Sequence, residues 1–521
     1  MAKEIGKDRL GDFYKEGSKV RKRREWRGVK DTLYDYSRWL KIMMTLGKFV
    51  VKPRNVKAML RYRWMANYLA VPMMVDRHTQ GLRGEYLRMC HVEQDLIIDD
   101  VAKLLDNLFR GDRRIGNDTE FSKKVVLVDE NEMTAVMMGF PTLKCLSRET
   151  PSTYVSVLLN QHAAEHYLDV AAEFGLATDV CPMPAAEAGV SIDDDAPVLG
   201  ACAIQCNTTC DGSLLGNGVI SKRLELEDGV PVFQLAAPLR HREDDVQEYA
   251  AQEIRGAIAF VEKHTGVKWD WKAYFECAKR VNYATACRQE WLDMNRTDYP
   301  QVFGSNLALY TETNYMAMCG RVEDFEKADR KLTKLANQAY EKRMRAAKEY
   351  RHRAIVWGVQ SHFYMDFLVW LLNCWGIVPL TDMLSMVSTK RIAEEDTPEN
   401  REQAIYDMAW LTENMIMRNR THGGYKVLLD ELWEFTEQFN ADMVILWEHI
   451  NCKALDGMHG MFEDRARELG IHLVWVDHDL FDPRIISRQG VRDQINLYMR
   501  TVMREEPIDP SLEVLPDDES W

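Results

Sequence analysis

The sequence lacks several features that would place it in a common functional class. It has no apolar run of the roughly 20 residues that a membrane-spanning helix needs, and its basic N-terminus has no apolar segment of the secretory-signal type. No glycine loop, including RTHGGY at 420–425, is followed by Lys-Ser or Lys-Thr, so we expect the chain not to bind ATP itself. We therefore expect a cytoplasmic protein without a membrane segment.

The cysteine pattern excludes two further classes. The chain has 11 cysteines, an odd number, and in a reducing compartment cysteines are more often thiols or metal ligands than disulfides. They form neither the C-x2-C pairs of zinc ribbons nor the runs of ferredoxins. A soft-metal site would therefore draw its thiolates from separate parts of the chain.

The charge of the chain is negative overall but unevenly distributed. The net charge of −14 argues against nucleic acid as a partner of the whole chain. Residues 1–65 are basic, with KVRKRREW at 19–26, whereas the C-terminal end is acidic. Such a basic arm suits an acidic partner or a CoA phosphate, although a solvated helix face is the more common meaning of a charge run.

The order of apolar and amphipathic segments predicts the fold class. Continuous apolar runs predict strands at 124–130, 196–204, 229–238, 353–360, 441–451 and 471–480. Long helical segments separate them, an alternation typical of parallel sheets with crossover helices. We expect an α/β fold in which two parallel-sheet α/β halves face each other after an N-terminal helical extension. The expected boundaries are 1–115 for the extension, 116–300 for the first α/β domain, 301–350 for a helical bridge and 351–521 for the second α/β domain.

Two cysteines follow predicted strands, where open parallel sheets bind ligands. Cys210 lies just beyond the strand at 196–204, and Cys452 follows the strand at 441–451. Two sheets that face each other can bring these two thiols together. In CNTTCDG, Cys206 competes with Cys210 as a ligand, and the turn-forming residues between them argue against a helix there. Cys202 lies inside the strand, and we expect it in the core.

A third candidate ligand is Cys181 in LATDVCPMP. We expect Pro182 and Pro184 to interrupt regular structure and to hold the cysteine in a rigid loop. Three thiolates from separate segments suit a [4Fe–4S] cluster with one open iron, or a zinc site. A single cysteine is most often a buried, inert residue. We expect that of the cysteines on apolar helical stretches, which are Cys90, Cys277, Cys287, Cys319 and Cys374.

Three segments together resemble the 2-hydroxyacyl-CoA dehydratase and benzoyl-CoA reductase family. They are LATDVCPMP, CNTTCDG and ADMVILWEHINCKALDGM, the last followed by ELGIHLVWVDHDLFDPR. The final segment carries the family's aspartate-x-x-aspartate-proline-arginine element at Asp479, Asp482, Pro483 and Arg484. Order and spacing resemble the family from about residue 125 to 505, whereas residues 1–115 are longer than the family leads us to expect.

The resemblance implies a cofactor and a reaction. In such proteins Cys181, Cys210 and Cys452 would each bind one iron of a [4Fe–4S] cluster. One electron added to a 2-hydroxyacyl-CoA thioester gives a ketyl radical anion, which expels the 2-hydroxyl group. The main expectation is therefore a subunit of a 2-hydroxyacyl-CoA dehydratase. The alternatives are a benzoyl-CoA-reductase-type subunit, an electron-relay or structural subunit, and a zinc-stabilised scaffold.

The resemblance also implies partners. Catalytic components of this family are dimers of related subunits, so we expect a homologous second subunit, in a heterodimer. A separate ATP-hydrolysing iron–sulfur activator would supply the electrons, and the substrate would be an acyl-CoA.

Three further residues are candidates for substrate contact. Glu132 in VDENEMTA follows the first strand and could orient substrate or accept a proton, or it could be a surface residue at a helix start. Glu448 and His449 precede Cys452 on one strand, and strand alternation sends them to opposite faces. His449 is a candidate acid or base near neutral pH, with a structural histidine as the alternative.

Overall fold

The N-terminal part of the chain is helical, as expected. The structure is a computed structural model that describes residues 29–71, 79, 82, 84–128, 134–207, 210–236, 244–308, 323–347, 349–385, 390–413 and 425–515. Its first elements are α1 (Val29–Val50), α2 (Pro53–Arg61), a 3-10 helix (Arg63–Ala70) and α3 (Gly84–Gly111). Along the described residues, no helix combines the length and the apolar character that a membrane crossing requires.

Helix α1 has one apolar face packed inward and another that faces solvent. Ile42 and Phe49 join the core, whereas Leu33, Tyr36 and Leu40 are 64%, 62% and 58% exposed. An apolar row of this kind at the surface is typical of an interaction site. This row predicts an interface role for the N-terminal extension.

The first α/β half contains a four-stranded parallel sheet with the strand order β2-β1-β3-β4. Its strands are β1 (Val125–Val128), β2 (Lys144–Leu146), β3 (Cys202–Asn207) and β4 (Val232–Ala236). Its helices are α4 (Thr119–Ser122), α5 (Thr134–Met137), α6 (Tyr154–Leu159), α7 (Glu165–Phe174), α8 (Pro182–Ile192), α9 (Asp211–Leu226), α10 (Asp244–Thr265) and α11 (Trp271–Asn295). The chain changes direction across the sheet between β1 and β3, which makes the carboxyl ends of these strands a switch point where ligands bind.

The second half repeats this arrangement in a four-stranded parallel sheet with the order β6-β5-β7-β8. Its strands are β5 (His352–Trp357), β6 (Ile377–Asp382), β7 (Met443–His449) and β8 (His472–His478). Its helices are α12 (Glu323–Glu341), α13 (Phe367–Trp370), α14 (Pro398–Glu413), α15 (Tyr425–Gln438), α16 (Lys453–Asp456), α17 (His459–Leu469) and α18 (Arg488–Tyr498). Shorter elements are 3-10 turns at His362–Tyr364 and Pro510–Leu512 and π turns at Leu371–Trp375 and Met499–Met503. The predicted pair of parallel sheets is confirmed.

The core is continuous between the N-terminal helices and both sheets. Every residue of β7 is buried, which explains why this strand follows from a long apolar run in the sequence, and every residue of β6 is buried as well. A second core cluster packs the other face of the first sheet against α10, α11 and α14. The two sheets and the N-terminal helices therefore share one packed interior.

Four elements differ from the sequence expectation, and one of them is the three-residue strand β2, which was not predicted. Strand β3 begins at Cys202 and not at residue 196, because Gly200 adopts a positive φ of 110° just before it. Helix α12 ends at Glu341, short of residue 350. Strand β6 was not predicted because it contains Pro379, which an edge strand tolerates, and the register with β5 shifts at this proline.

Gly358 directly follows β5, and a substitution at this position tests the close approach of β5 and β7. Its φ is +101°, and a Cβ there would lie 2.3 Å from the backbone oxygen of Trp447. We expect Gly358→Ala to lower the free energy of unfolding by about 2 kcal/mol or more, because it adds backbone strain and a clash with a buried strand. Chemical denaturation of the purified protein measures this change.

Gly460→Ala is the matched control, because a Cβ at this position of α17 meets no atom within 4 Å. It should leave the stability unchanged or raise it slightly, since alanine favours a helix. Equal effects of the two substitutions would contradict the packing described here.

Candidate active site

The three candidate cysteine ligands each stand directly before a helix. Cys181 is the N-cap of α8, Cys210 that of α9 and Cys452 that of the single-turn helix α16. The expectation that Pro182 and Pro184 interrupt regular structure at Cys181 is wrong. Both prolines lie in the first turn of α8, where a proline needs no hydrogen-bond acceptor and its fixed φ suits the helix.

Cys210 and Cys452 occupy corresponding positions in the two halves. Strand β3 ends at Asn207 and strand β7 at His449, so each cysteine stands three residues after the same strand of its sheet. Each cysteine then begins the next helix. The expected position at the carboxyl ends of parallel strands is therefore observed for both residues.

Glycines bring the helix that follows Cys210 against Cys181. A Cβ at Gly212 of α9 would lie 3.1 Å from Cβ of Cys181 and 3.2 Å from its backbone nitrogen. One turn later, a Cβ at Gly216 would lie 2.7 Å from the backbone oxygen of Pro184. Small residues at these two positions let the N-termini of α8 and α9 meet, so Cys181 and Cys210 become neighbours.

The three cysteine thiols are close enough to interact electrostatically. Burial raises the pKa of the Cys181 thiol well above its usual value, and the Cys210 and Cys452 thiolates add to this rise. Burial also raises the pKa of Cys452 to about 11, and Cys210 again adds to the rise. Backbone N–H groups oppose it: that of Met183 donates to Cys181, and those of Leu455 and Ala454 donate to Cys452. Such donors stabilise thiolate ligands once a metal replaces the proton.

Three buried histidines lie at the carboxyl end of the second sheet. His449 ends β7, His478 ends β8, and His362 follows β5. The rings of His449 and His478 are 5.8 Å apart. Burial lowers the pKa of His449 to about 3, with the neighbouring His478 and His362 contributing, and lowers the pKa values of His362 and His478 to about 3 and about 4. All three rings are therefore neutral at neutral pH.

His449 differs from His478 in its hydrogen bonding. His478 Nε2 lies 2.7 Å from the backbone oxygen of Val359. In the described part of the chain, neither ring nitrogen of His449 makes a hydrogen bond of standard geometry, although the residue is only 3% exposed, and the backbone of His478 is a polar neighbour of the ring. A buried imidazole with so little hydrogen bonding is uncommon in folded proteins, which makes His449 a candidate for contact with a ligand.

Aromatic contacts connect these histidines with the Cys181 helix. The ring of Tyr154, on α6 of the first half, lies 4.7 Å from that of His362 and 5.4 Å from that of Phe481. The Tyr154 hydroxyl donates to the sulfur of Met183, two residues after Cys181. The histidines and the cysteines therefore belong to one site between the two halves.

Asp479 organises the loop after β8. Its Oδ1 accepts the backbone N–H groups of Phe481 at 2.9 Å and Asp482 at 2.8 Å, and its Oδ2 accepts the side-chain amide of Asn451 at 3.3 Å. Burial raises its pKa to about 6. Because Asn451 precedes Cys452, the aspartate-proline-arginine element and the third cysteine loop are held together.

Glu448 and His449 point to opposite faces of β7, as strand alternation requires. Glu448 accepts a hydrogen bond from His459 of α17, whose ring stacks on Trp475 at 3.7 Å. Glu448 therefore faces away from the three histidines.

The other candidate residues lie in or near the core, or outside the residues that the structure describes. Cys202 is fully buried in β3, and Cys90, Cys287 and Cys374 are buried as expected, whereas Cys277 is only partly buried. Glu132, Cys319 and the side chain of Cys206 lie outside the described residues.

The three cysteines are donors of the type that an iron–sulfur cluster takes. Among the described residues, no three His, Cys, Asp or Glu side chains are arranged to hold a single metal ion. A cluster distributes its cysteine ligands over separate irons, so its thiolates stand farther apart than the ligands of one ion. Three soft thiols from three helix N-termini, each partly exposed, are ligands of the required type.

The fold is of the α/β class, and comparison with protein families gives the kind of protein. The family model of the 2-hydroxyglutaryl-CoA dehydratase D-component matches residues 134–499, more than two thirds of the chain. The chain belongs to this family, which makes it a dehydratase-type enzyme component that acts on acyl-CoA. Comparison with curated proteins finds no match.

The ligand assignment is tested by iron and sulfide analysis of anaerobically purified variants. We expect Cys181→Ala, Cys210→Ala and Cys452→Ala each to lose most of the iron, since each removes the ligand of one cluster corner. Cys206→Ala and Cys287→Ala are the controls and should keep it. Loss of iron in Cys206→Ala together with retention in Cys210→Ala would show that the second ligand is wrongly assigned.

Proposed function

We propose that the chain is the [4Fe–4S] subunit of an ATP-activated 2-hydroxyacyl-CoA dehydratase. The observation that carries this proposal is the meeting of three helix-capping cysteines between two facing parallel sheets, in a chain of the dehydratase D-component family. Cys181, Cys210 and Cys452 would hold the cluster. When bound, the cluster supplies a low-potential electron for the thioester carbonyl, and the reaction removes water from the 2-hydroxyacyl group.

The residues around the cysteines have three tasks in this reaction. They keep water out, orient the thioester and stabilise the charge that develops on its oxygens. A wall of packed aromatic side chains keeps water out. In this wall the ring of Trp447 lies 4.6 Å from that of Phe367 and 4.7 Å from that of His478. The fully buried Phe481 extends this wall toward Tyr154.

His449 is the residue that we propose to contact substrate. Its lowered pKa of about 3 makes it a poor acid or base at neutral pH. A neutral imidazole with so little hydrogen bonding can instead donate a hydrogen bond to the thioester or hydroxyl oxygen without the cost of burying a charge. Glu132 stays a prediction as a residue that orients substrate or accepts a proton.

Membership in a D-component family implies that the chain works with other components. We propose a homologous second subunit in a heterodimer and a separate ATP-hydrolysing iron–sulfur activator. The exposed apolar row of α1 supports a subunit interface at the N-terminal helices.

An anaerobic assay tests the proposed reaction. The chain, its second subunit, the activator, ATP and a reductant should convert a 2-hydroxyacyl-CoA to the enoyl-CoA, and the chain alone should be inactive. The dehydration returns its electron, so the reductant consumed should be a small fraction of the product formed. Product and oxidised reductant are measured in the same vial.

Two results would favour the alternatives. Oxidation of the reductant in proportion to product, with an aromatic thioester, would indicate a benzoyl-CoA-reductase-type subunit. A cluster spectrum that no CoA ester changes would indicate an electron-relay subunit.

His449→Leu and His449→Gln test the neutral-donor role. We expect His449→Leu to lower kcat/KM by about 10²–10³-fold, the usual effect of removing one donor to a developing oxyanion, and His449→Gln to recover part of the loss. The pH profile between about 5 and 8 should contain no ionisation of His449. His459→Gln is the control, because His459 lies on α17 and contacts the other face of β7 through Glu448; it should keep near-normal activity. Full activity of His449→Leu would overturn the proposed role of His449 as a neutral donor.

A further inference from the structure

We infer that Lys453 is a positioning residue that holds the three cysteine loops together and supplies the positive charge beside them. The inference rests on the proposed function, because it concerns the environment of the cluster that the cysteines would hold. The Lys453 ammonium lies 3.4 Å from Oδ2 of Asp179 and 3.4 Å from Oδ2 of Asp211.

Each partner of this ion pair belongs to a different cysteine loop. Asp179 lies two residues before Cys181, Asp211 directly follows Cys210, and Lys453 directly follows Cys452. Two of the loops come from the first half and the third from the second half. One ammonium therefore connects all three loops across the opening between the halves.

Global stability does not account for this arrangement. The three side chains are 73%, 68% and 58% exposed, in the order Asp179, Asp211 and Lys453, and ion pairs so open to solvent contribute little to folding. The role of Lys453 is local. Without it, two carboxylates would face three thiolates and any further negative charge added at the site.

The sign of each charge makes the inference testable through a reduction potential. Reduction adds an electron, so a nearby cation favours the reduced form and nearby carboxylates disfavour it. Removing Lys453 should shift the midpoint potential to more negative values. Removing the two carboxylates should shift it to more positive values, although both changes break the same ion pair.

The experiment compares four variants with the wild-type protein, all purified anaerobically. They are Lys453→Met, Lys453→Arg, the double variant Asp179→Asn/Asp211→Asn and Lys279→Met. Lys279 is the matched control, since it is 52% exposed and pairs with Glu276 on α11, away from the site. A reductive titration followed by electron paramagnetic resonance gives the midpoint potential, and the rate of iron loss to an added chelator reports how firmly the loops are held.

We expect a negative shift and faster iron loss in Lys453→Met, a positive shift in the double variant, and values near the wild type in Lys453→Arg and Lys279→Met. Shifts of the same sign in Lys453→Met and the double variant would overturn the charge role. An unchanged potential and iron-loss rate in Lys453→Met would overturn the whole inference while the proposed function stands. A wild-type protein that contains no cluster would overturn both.

Discussion

In a parallel sheet the carboxyl ends of all strands lie along the same edge, and the candidate site depends on this constraint. In the first sheet the edge formed by these carboxyl ends carries Cys210, and in the second it carries Cys452 together with His449 and His478. Because these edges face each other, residues more than two hundred positions apart in the sequence become neighbours. The same geometry presents helix N-termini to the site, so backbone N–H groups are available where thiolates would need them.

Burial raises the pKa of the Cys181 and Cys452 thiols, whereas hydrogen bonds from backbone amides lower it. Without metal, burial dominates and keeps the thiols of Cys181 and Cys452 protonated. A bound iron removes that proton and leaves the same N–H donors to stabilise the thiolate. Metal binding at these cysteines would therefore release protons.

The sequence predicted the two parallel sheets because six of their eight strands lie in apolar runs, whereas the short β2 and the proline-containing β6 do not show this pattern. It also predicted that Cys210 and Cys452 follow strands and that Glu448 and His449 face opposite ways. It did not predict His362 and His478, because a histidine beside an apolar run has the same local pattern whether it is structural or functional. The prediction for the prolines after Cys181 was wrong for a related reason, because a proline can follow the end of one helix or stand at the start of the next. The packing of α8 on α7 and α9 decides which of the two occurs here.

The repeated strand order has a consequence for symmetry. Cys210 and Cys452 correspond to each other, whereas Cys181 begins the last helix before β3, and the matching helix before β7 is α15. The segment that precedes α15, residues 414–424, contains no cysteine. The first half therefore contributes two of the three candidate cysteines and the second half contributes one. Any movement of one half relative to the other would change the distance from Cys452 to the other two cysteines, while the contact between α8 and α9 would keep Cys181 beside Cys210.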